Sequence, residues 1–299
     1  MFFTLLKIEL FKITKRPRTY ISFGALAILI ILIQFALKAN GGEFMDLFIS
    51  GQNDTFEVPK DLIINGYFVC FIILNTLLIH IPLMVALIAG DQISGEASMG
   101  TLRFMVGKPV SRYQIILAKY VASVIYIIIM LIWMAILGLF LSNYLFGKND
   151  LFIFRELDFI QIPKADVMWR YLFAFLFATL ALSVIAALAI LLSVLSDNSI
   201  GPIVATTTIV IVCTIIQQLK VPIFENTISP WLFTTHMLGW KAMFYPQTFV
   251  LIGDDSGTIV PGTIEKASSL YKSIAVLFGY IILFLGIAIY KFKNKDILS

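Results

Sequence analysis

Residues 120–145 read YVASVIYIIIMLIWMAILGLFLSNYL and contain no charged side chain. About 20 apolar residues in a helix cross the hydrocarbon core of a bilayer. The rest of the chain is similar in character, because 60% of its 299 residues are hydrophobic and only 13% are charged. Soluble domains have roughly 45–50% and 25%, respectively. The composition therefore excludes a water-soluble domain and a disordered chain, and it predicts an integral membrane protein.

Six apolar segments are long enough to span a membrane as helices. They cover residues 20–37, 67–89, 120–145, 169–195, 201–219 and 273–290. The fourth and fifth are separated only by residues 196–200, and Pro202 in the first turn of the next helix favours a tight hairpin. We expect an all-α membrane protein that forms a single six-span domain over residues 1–299.

The distribution of Lys and Arg predicts the orientation, because the cytoplasmic segments of membrane proteins are enriched in both. With the N-terminus inside, the inner segments carry 12 basic and 5 acidic residues (net +7), and the outer segments carry 10 and 13 (net −3). We expect a multi-pass protein of the cell membrane (inner or plasma membrane), with both termini in the cytoplasm. The overall charge of +4 gives no indication of nucleic-acid binding.

Residues 220–272, between the fifth and sixth spans, contain a further apolar stretch at 231–252. As a seventh span it would bury Lys241 near the bilayer centre, at about 2.5–3.5 kcal/mol on insertion scales, and would place the Lys-rich tail outside. We therefore expect a large outer-face segment that is re-entrant or lies along the interface. Trp231, Trp240 and Tyr245 are its expected interfacial anchors.

Residues 1–19 form a separate element at the inner face. On a helical wheel one arc carries apolar side chains and the opposite side carries cations. The two sets are Phe2, Phe3, Leu6, Leu10 and Ile13, and Lys7, Lys12, Lys15 and Arg16. This pattern predicts an amphipathic helix in the inner interface, with its cations near anionic lipid head groups, before Pro17 turns the chain into the first span. The alternative is a polar extension of the first span.

The loop at residues 91–119 is longer and more patterned than a simple connection. Residues 98–106 are expected to form a short helix, with Glu96 near its N-terminal end and with Gly107 and Pro109 ending it. Ser111 would cap the next helix, with Gln114 completing a capping box. The loop presents Leu102, Phe104, Met105 and Val106 at the inner face of the membrane. Lipid, the N-terminal helix or another protein could cover them.

This loop resembles that of the ABC-2 type permeases, the membrane subunits of a class of ATP-binding-cassette transporters. The residues that carry the resemblance are Gly95-Glu96, Gly100-Thr101-Leu102, Pro109-Val110-Ser111-Arg112 and Lys119. Ala118 is a departure, because Gly before the Lys is commoner in the family. The six spans, the inner termini, the basic N-terminal helix and the large outer segment also match the family's architecture.

The resemblance implies that the loop couples this chain to a separate ATPase subunit, whose ATP hydrolysis moves the spans. The implied coupling residues are Glu96, Gly100, Thr101, Leu102, Arg103, Phe104, Pro109, Ser111 and Arg112. It also implies pairing with a second permease copy, identical or related, and export of a substrate. ATP and Mg would bind the partner, and neither a cofactor nor enzymatic activity is expected in this chain. Gly95–Thr101 lacks the Lys of a phosphate-binding loop.

Asn75 and His80, in the second predicted span, are the candidates for a substrate path, because polar residues within spans are often functional. They lie about 140° apart on a helix and so do not form one site. Hydrogen bonds between helices are the alternative interpretation. The two cysteines, Cys70 and Cys213, and the two histidines, His80 and His236, are too far apart in sequence to indicate a disulfide framework or a metal site.

Two other functional classes stay open. An ion-coupled secondary transporter is disfavoured because no acidic or basic residue lies centrally in a predicted span. A sensor or a non-transport component of the cell envelope could use the same scaffold. A membrane protease or transferase is disfavoured, since no span carries a Ser/Lys, His/Glu or paired-Asp set.

Overall fold

The computed structural model describes residues 2–49, 63–77, 80–102, 110–155, 158–219, 221–249 and 258–295. This part of the chain is mostly helical. The helices are α1 (Phe2–Lys15), α2 (Pro17–Ile49), α3 (Gly66–Leu77), α4 (His80–Ala89), α5 (Asp91–Ser98), α6 (Arg112–Ala135), α7 (Ser142–Phe146), α8 (Lys164–Leu195), α9 (Ile200–Gln218), α10 (Phe233–Met237) and α11 (Ala267–Asn294). A π-helical turn, Ile136–Leu141, joins α6 to α7. Two antiparallel pairs are also present, β1 (Leu151–Arg155) with β2 (Asp158–Ile162) and β3 (Thr248–Phe249) with β4 (Thr258–Ile259).

Five helices in the described ranges are long and apolar enough to cross a membrane. They are Pro17–Phe44, Arg112–Phe146, Lys164–Leu195, Ile200–Gln218 and Ala267–Asn294. These helices cover the first, third, fourth, fifth and sixth predicted spans. The chain is therefore a helical membrane protein, as its composition predicts.

The second predicted span, residues 67–89, is divided in two. Gly66–Leu77 meets His80–Ser98 at an angle of 53°, across residues 78–79, which lie outside the described ranges. Pro82 has no N–H to donate to the carbonyl four residues earlier, so the helical hydrogen-bond pattern is interrupted at this point of the sequence. Proline at position 82 thus favours a bend in this part of the chain.

Helix α8 lies at the centre of the helix packing, where it contacts α4, α6, α9 and α11. Ala174, Ala178 and Ala181 lie on one face of α8 and are all buried. Small side chains at this spacing let neighbouring helices approach closely. The position of α8 makes it the scaffold to which both ends of the molecule are attached.

The outer segment does not form a seventh spanning helix in residues 221–249. It folds as short helical turns at Phe224–Ile228, Ser229–Trp231, α10 and Leu238–Phe244. The Trp240 side chain is 1% exposed, with its ring 5.7 Å from that of Phe71 and 5.9 Å from that of Phe244. The predicted interfacial role of Trp240 is therefore wrong, because its ring packs inside the protein. Trp231 is 76% exposed, and Tyr245 is part-buried.

A buried ion pair at the start of α8 attaches the outer segment to the helices. The Arg170 guanidinium pairs with Asp166 and donates to the backbone carbonyls of Met243 and Thr263. The other oxygen of Asp166 accepts a hydrogen bond of 3.1 Å from the N–H of Gly262. A charged pair this far from water is stable only with such additional hydrogen bonds. The segment is therefore folded back onto α8 by backbone contacts that the apolar pattern does not reveal.

The packing of Trp240 gives a direct test of this arrangement. Trp240→Ala should lower the free energy of unfolding by about 3–5 kcal/mol, because it leaves a large cavity in a buried aromatic cluster. Thermal melting in detergent measures the effect. Trp231→Ala is the matched control and should leave the midpoint nearly unchanged, since that ring is exposed. Equal shifts for the two variants would contradict the burial of Trp240.

Candidate functional site

The patterned loop begins with a helix that continues from the second span. Gly90 has helical backbone angles (φ −66°, ψ −25°), so α4 runs on into α5. Helix α5 ends just before Gly100, whose φ of +70° is the left-handed conformation that commonly follows a helix. The first residues of the helix predicted over residues 98–106 are instead the end of α5 and the turn that follows it. Residues 103–106 of that prediction lie outside the described residues.

Four charged side chains, Glu9, Lys12, Glu96 and Lys119, meet at the end of the helices that the sequence predicts to be cytoplasmic, and they are called the charge cluster here. The Lys119 Nζ lies 2.9 Å from Glu9 Oε2 and 2.8 Å from Glu96 Oε1. The Lys12 Nζ lies 2.9 Å from Glu9 Oε1 and 2.7 Å from Glu96 Oε1. The cluster thus joins three elements, α1, α5 and α6, through two cations and two carboxylates.

The charge cluster is largely shielded from water, and only the Lys12 side chain is part-exposed, at 32%. Lys119 has a side-chain exposure of 0%, and Glu9 and Glu96 are buried as well. Burial by itself lowers the pKa of Lys12, but the neighbouring Glu9 and Glu96 carboxylates outweigh it and raise that pKa above its ordinary value. Removing one member of such a set leaves an uncompensated buried charge, which is far more costly than the loss of a surface ion pair.

Asp91 provides a second link between α5 and the N-terminal region. Its Oδ2 lies 2.5 Å from Arg16 Nη1 and 3.2 Å from Arg18 Nη1. A Cβ at Gly95 would lie 2.4 Å from Asp91 Oδ1, so glycine is the residue that leaves room for this carboxylate. Gly95 and Glu96 of the loop motif therefore have separate structural roles, because Gly95 accommodates Asp91 and Glu96 pairs with Lys119.

Uncharged hydrogen bonds also attach α5 to the helices beside it. The Ser193 hydroxyl oxygen accepts hydrogen bonds from the backbone N–H groups of Ile93 (3.1 Å) and Ser94 (2.9 Å). The Gln92 amide donates to the Ser123 hydroxyl at 2.7 Å. Helix α5 is therefore connected to α8 and α6 as well as to α1, and these elements form one block.

The predicted coupling residues of the loop differ in exposure. Gly100 and Thr101 are exposed. Together with Ser98 and Met99, which are not among the predicted coupling residues, they form the exposed tip of α5, where Met99 is 64% exposed. Leu102 is buried in the hydrophobic core. Glu96 is also buried, so its carboxylate faces the charge cluster. Arg103, Phe104 and Pro109 lie outside the described residues.

Arg112 and Ser111 lie at the start of α6. The Arg112 guanidinium donates to the backbone carbonyls of Phe292, Lys293 and Lys295, at 2.9, 3.0 and 2.7 Å. It therefore satisfies carbonyls at the end of α11 that have no partner within the helix. Ser111 occupies the N-cap position with extended backbone angles but makes no side-chain capping bond. The predicted capping box is thus not formed.

Asn75 and His80, the predicted substrate-path residues, lie in different surroundings. Asn75 lines a cavity of about 210 Å³, and His80 is an exposed residue that does not line it. The His80 ring nitrogen is 3.1 Å from the carbonyl of Thr76. Both the structure and the helical spacing therefore separate the two side chains.

The cavity is bordered by α3, α4, α9 and the outer segment. Its lining is Asn75, Pro82, Val210, Thr214, Gln217, Gln218, Thr234, Met237, Leu238 and Lys241.

Sequence reasoning did not identify Glu9, Lys119, Asp91 or Arg170 as structural contacts. A signal existed for some of them, because Glu9 is the single acidic residue among the first 19 and interrupts an otherwise basic helix. Asp166 and Arg170 stand four residues apart, a spacing at which side chains meet on a helix. The local sequence does not indicate which distant residue each charged side chain pairs with. The described residues contain no group of three His, Cys, Asp or Glu that could hold a metal ion.

The helices and the buried charges at their ends define a multi-span α-helical membrane protein. A family model described as "Protein of unknown function (DUF2705)" matches residues 27–298, which is most of the chain. The chain belongs to this family. The search of curated proteins found no match.

The charge cluster should be essential for stability. Lys119→Met should lower the free energy of unfolding by about 3–5 kcal/mol, because Glu9 and Glu96 would be left with one cation between them. Denaturant or thermal melts in detergent measure this loss. Adding Glu9→Gln to Lys119→Met should restore part of it by rebalancing the charges.

Lys295→Met is the matched control for this measurement. It removes an ion pair of 2.7 Å with Asp197, whose side chain is 83% exposed. The expected loss is no more than about 1 kcal/mol, because water screens exposed pairs. If Lys119→Met cost no more than this control, the charge cluster would not have the structural importance assigned to it.

Proposed function

We propose that the chain is the permease subunit of an ABC-2 type transporter, moved by ATP hydrolysis in a separate subunit. One observation carries the proposal. Glu96 and Lys119, two residues of the motif that resembles the family's coupling loop, form a buried ion pair of 2.8 Å although 23 positions separate them. The exposed tip of α5 follows directly. The motif thus combines an accessible end with a rigid base, which is what a mechanical link to a partner needs.

The route of the movement follows from the contacts of α5. A partner that pushed on Met99 or Thr101 would displace α5, and the charge cluster would pass this displacement to α1 and α6. Ser193 would pass it to α8. Because packed and hydrogen-bonded elements move together, the spans would tilt with the tip. In this mechanism Glu96 is a positioning residue inside the permease, and Met99, Gly100 and Thr101 form the surface that meets the ATPase.

A common inner face is part of the proposal. The Lys295 ammonium donates to the Val194 carbonyl at 2.9 Å and to Asp197 at 2.7 Å, and Arg112 reaches the end of α11. These contacts support one side that contains the loop, the 196–200 turn and the C-terminal residues. We infer that the bent α3–α4 pair is one span, which gives six spans with both termini in the cytoplasm.

The partners in this proposal are an ATPase subunit that holds ATP and Mg, and a second permease copy or homologue. The direction is export. Exposed apolar side chains on α2, α6 and α9, including Phe35, Ile132 and Val212, would meet lipid or the second permease.

The exposed tip provides the test of this function. Met99→Asp should abolish co-purification of the full-length chain with an ATPase that has a Gly-x-x-x-x-Gly-Lys-Ser/Thr loop, because it places a charge in an apolar contact. It should also abolish ATP-dependent substrate flux in vesicles. The melting midpoint should stay close to the wild-type value, since Met99 is exposed.

Asn198→Asp is the matched control. It adds one negative charge to the proposed inner face and keeps the side-chain oxygen that accepts from the Ile200 N–H at 3.0 Å. This variant should retain the ATPase. If no such ATPase co-purified with the wild type, or if it stayed bound to Met99→Asp, the proposed coupling would be wrong. Flux driven by an ion gradient without an ATPase would instead identify a secondary transporter.

A further inference from the structure

The cavity lined by Asn75 and Lys241 combines a positive charge with unpaired polar groups, and it is called the Lys241 cavity here. It lies between the bent α3–α4 pair, the second half of α9 and the turns of α10 and Leu238–Phe244. The backbone beside Lys241 is firmly held. Trp240 and Phe244 are fully buried, and a Cβ at Gly239 would come within 2.7 Å of the Phe177 ring. The ammonium group is therefore carried by a rigid part of the outer segment.

Lys241 has no ion pair or hydrogen bond with any of the described residues, although it is part-buried. Burial lowers the pKa of its ammonium group, and no carboxylate among the described residues opposes this effect. All the other residues that the structure places around the cavity are neutral. A part-buried cation without a counter-ion is destabilising in the empty protein. An unpaired, part-buried cation of this kind is typical of a site that binds an anion, because binding sites often reduce the stability of the ligand-free protein.

Several neutral polar groups surround the same space. The Thr234 hydroxyl is buried and has no hydrogen-bond partner in the described part of the chain. The side-chain amides of Asn75, Gln217 and Gln218 also make no hydrogen bond there, but Asn75 and Gln218 are exposed and Gln217 is part-buried. A buried polar group without a partner costs about 1–3 kcal/mol. A ligand that accepted a hydrogen bond from the Thr234 hydroxyl would remove that cost, and the three amides are further donors at the mouth of the cavity.

Apart from Thr214, whose hydroxyl donates to the Val210 carbonyl, the remaining wall of the cavity is apolar. It is formed by Pro82, Val210, Met237 and Leu238. A cavity of about 150 Å³ holds a benzene molecule, so about 210 Å³ is enough for a small anionic group together with a few methylene units. The lining thus matches a ligand with a charged end and an apolar end.

We propose that the Lys241 cavity binds the anionic head group of an amphiphile, with Lys241 as the counter-ion. Thr234 and the three amides donate hydrogen bonds to the oxygen atoms of a phosphate or carboxylate. The first methylene units lie against Met237 and Leu238. The head group can come from a membrane lipid or from a soluble amphiphile. This site does not depend on the proposed ATPase, and binding can be measured on the isolated chain.

Binding of hexyl phosphate to the purified chain in a neutral maltoside detergent tests the proposal. Titration calorimetry should show binding to the wild type, and the ligand should raise the melting midpoint. Lys241→Gln should weaken binding at least about tenfold, because it removes a charge-assisted contact. Without ligand, this variant should melt at or above the wild-type temperature, which shows that it is folded. Lys272→Gln removes an exposed lysine outside the cavity and should bind as the wild type does.

Two comparisons complete the experiment. Hexanol, which lacks the charge, should bind at least about tenfold more weakly than hexyl phosphate. Native mass spectrometry in lipid mixtures then distinguishes the sources of the head group. Lys241-dependent retention of phosphatidylglycerol over phosphatidylcholine indicates a lipid, and binding of hexyl phosphate without lipid retention indicates a soluble amphiphile. Equal binding to the wild type and Lys241→Gln, equal binding of hexanol, or no binding of any anion would overturn the proposal.

Discussion

Two lysines and two glutamates, of which only Lys12 keeps contact with water, hold one end of the helices together. The buried Lys119 ammonium is paired with two carboxylates, Glu9 and Glu96, which both lie within 2.9 Å. These carboxylates come from α1 and α5, and Lys119 comes from α6. The three helices must therefore come together for the buried charges of Glu9, Glu96 and Lys119 to be compensated. The hydrophobic effect places the helices in the membrane and side-chain packing brings them together. The charge cluster decides how the helix ends that carry it are arranged.

The same constraint gives the loop motif a physical meaning. Gly95 leaves room for the Asp91 carboxylate, and Glu96 pairs with the buried lysine. The exposed tip that follows is accessible to a partner but is attached to a rigid base. On the opposite side of the molecule, Arg170 and Asp166 attach the outer segment to α8 in a similar way. The Lys241 cavity differs from both, since its cation has no counter-ion among the described residues. The two paired sets serve architecture, and the proposed role of Lys241 is to recognise a ligand.

Hydrophobicity predicted the helical membrane fold and five of its long helices, because about 20 apolar residues have few alternatives to a spanning helix. Hydrophobicity by itself favoured a seventh span at residues 231–252, against the cost of burying Lys241. It wrongly placed the Trp240 ring at the membrane interface. An apolar ring near the membrane can face either lipid or protein, and the contacts with Phe71 and Phe244 show that this ring faces protein. The hairpin of β1 and β2 was not predicted. The Glu96–Lys119 pair could not be predicted from the sequence. Residue spacing predicts which side chains are neighbours on one helix, but not which side chains of different helices meet.

The central claim is that the charge cluster makes α1, α5 and α6 one mechanical block. Spin labels at Phe3→Cys in α1 and Met99→Cys at the tip test it most directly, because both side chains are exposed, at 81% and 64%. Cys213 would be replaced by Ser, and Cys70 is buried. Pulsed electron spin resonance should give a single narrow distance distribution in the otherwise wild-type chain. With Lys119→Met added, the distribution should become broad or shift while the protein stays helical. An unchanged narrow distribution would contradict the account.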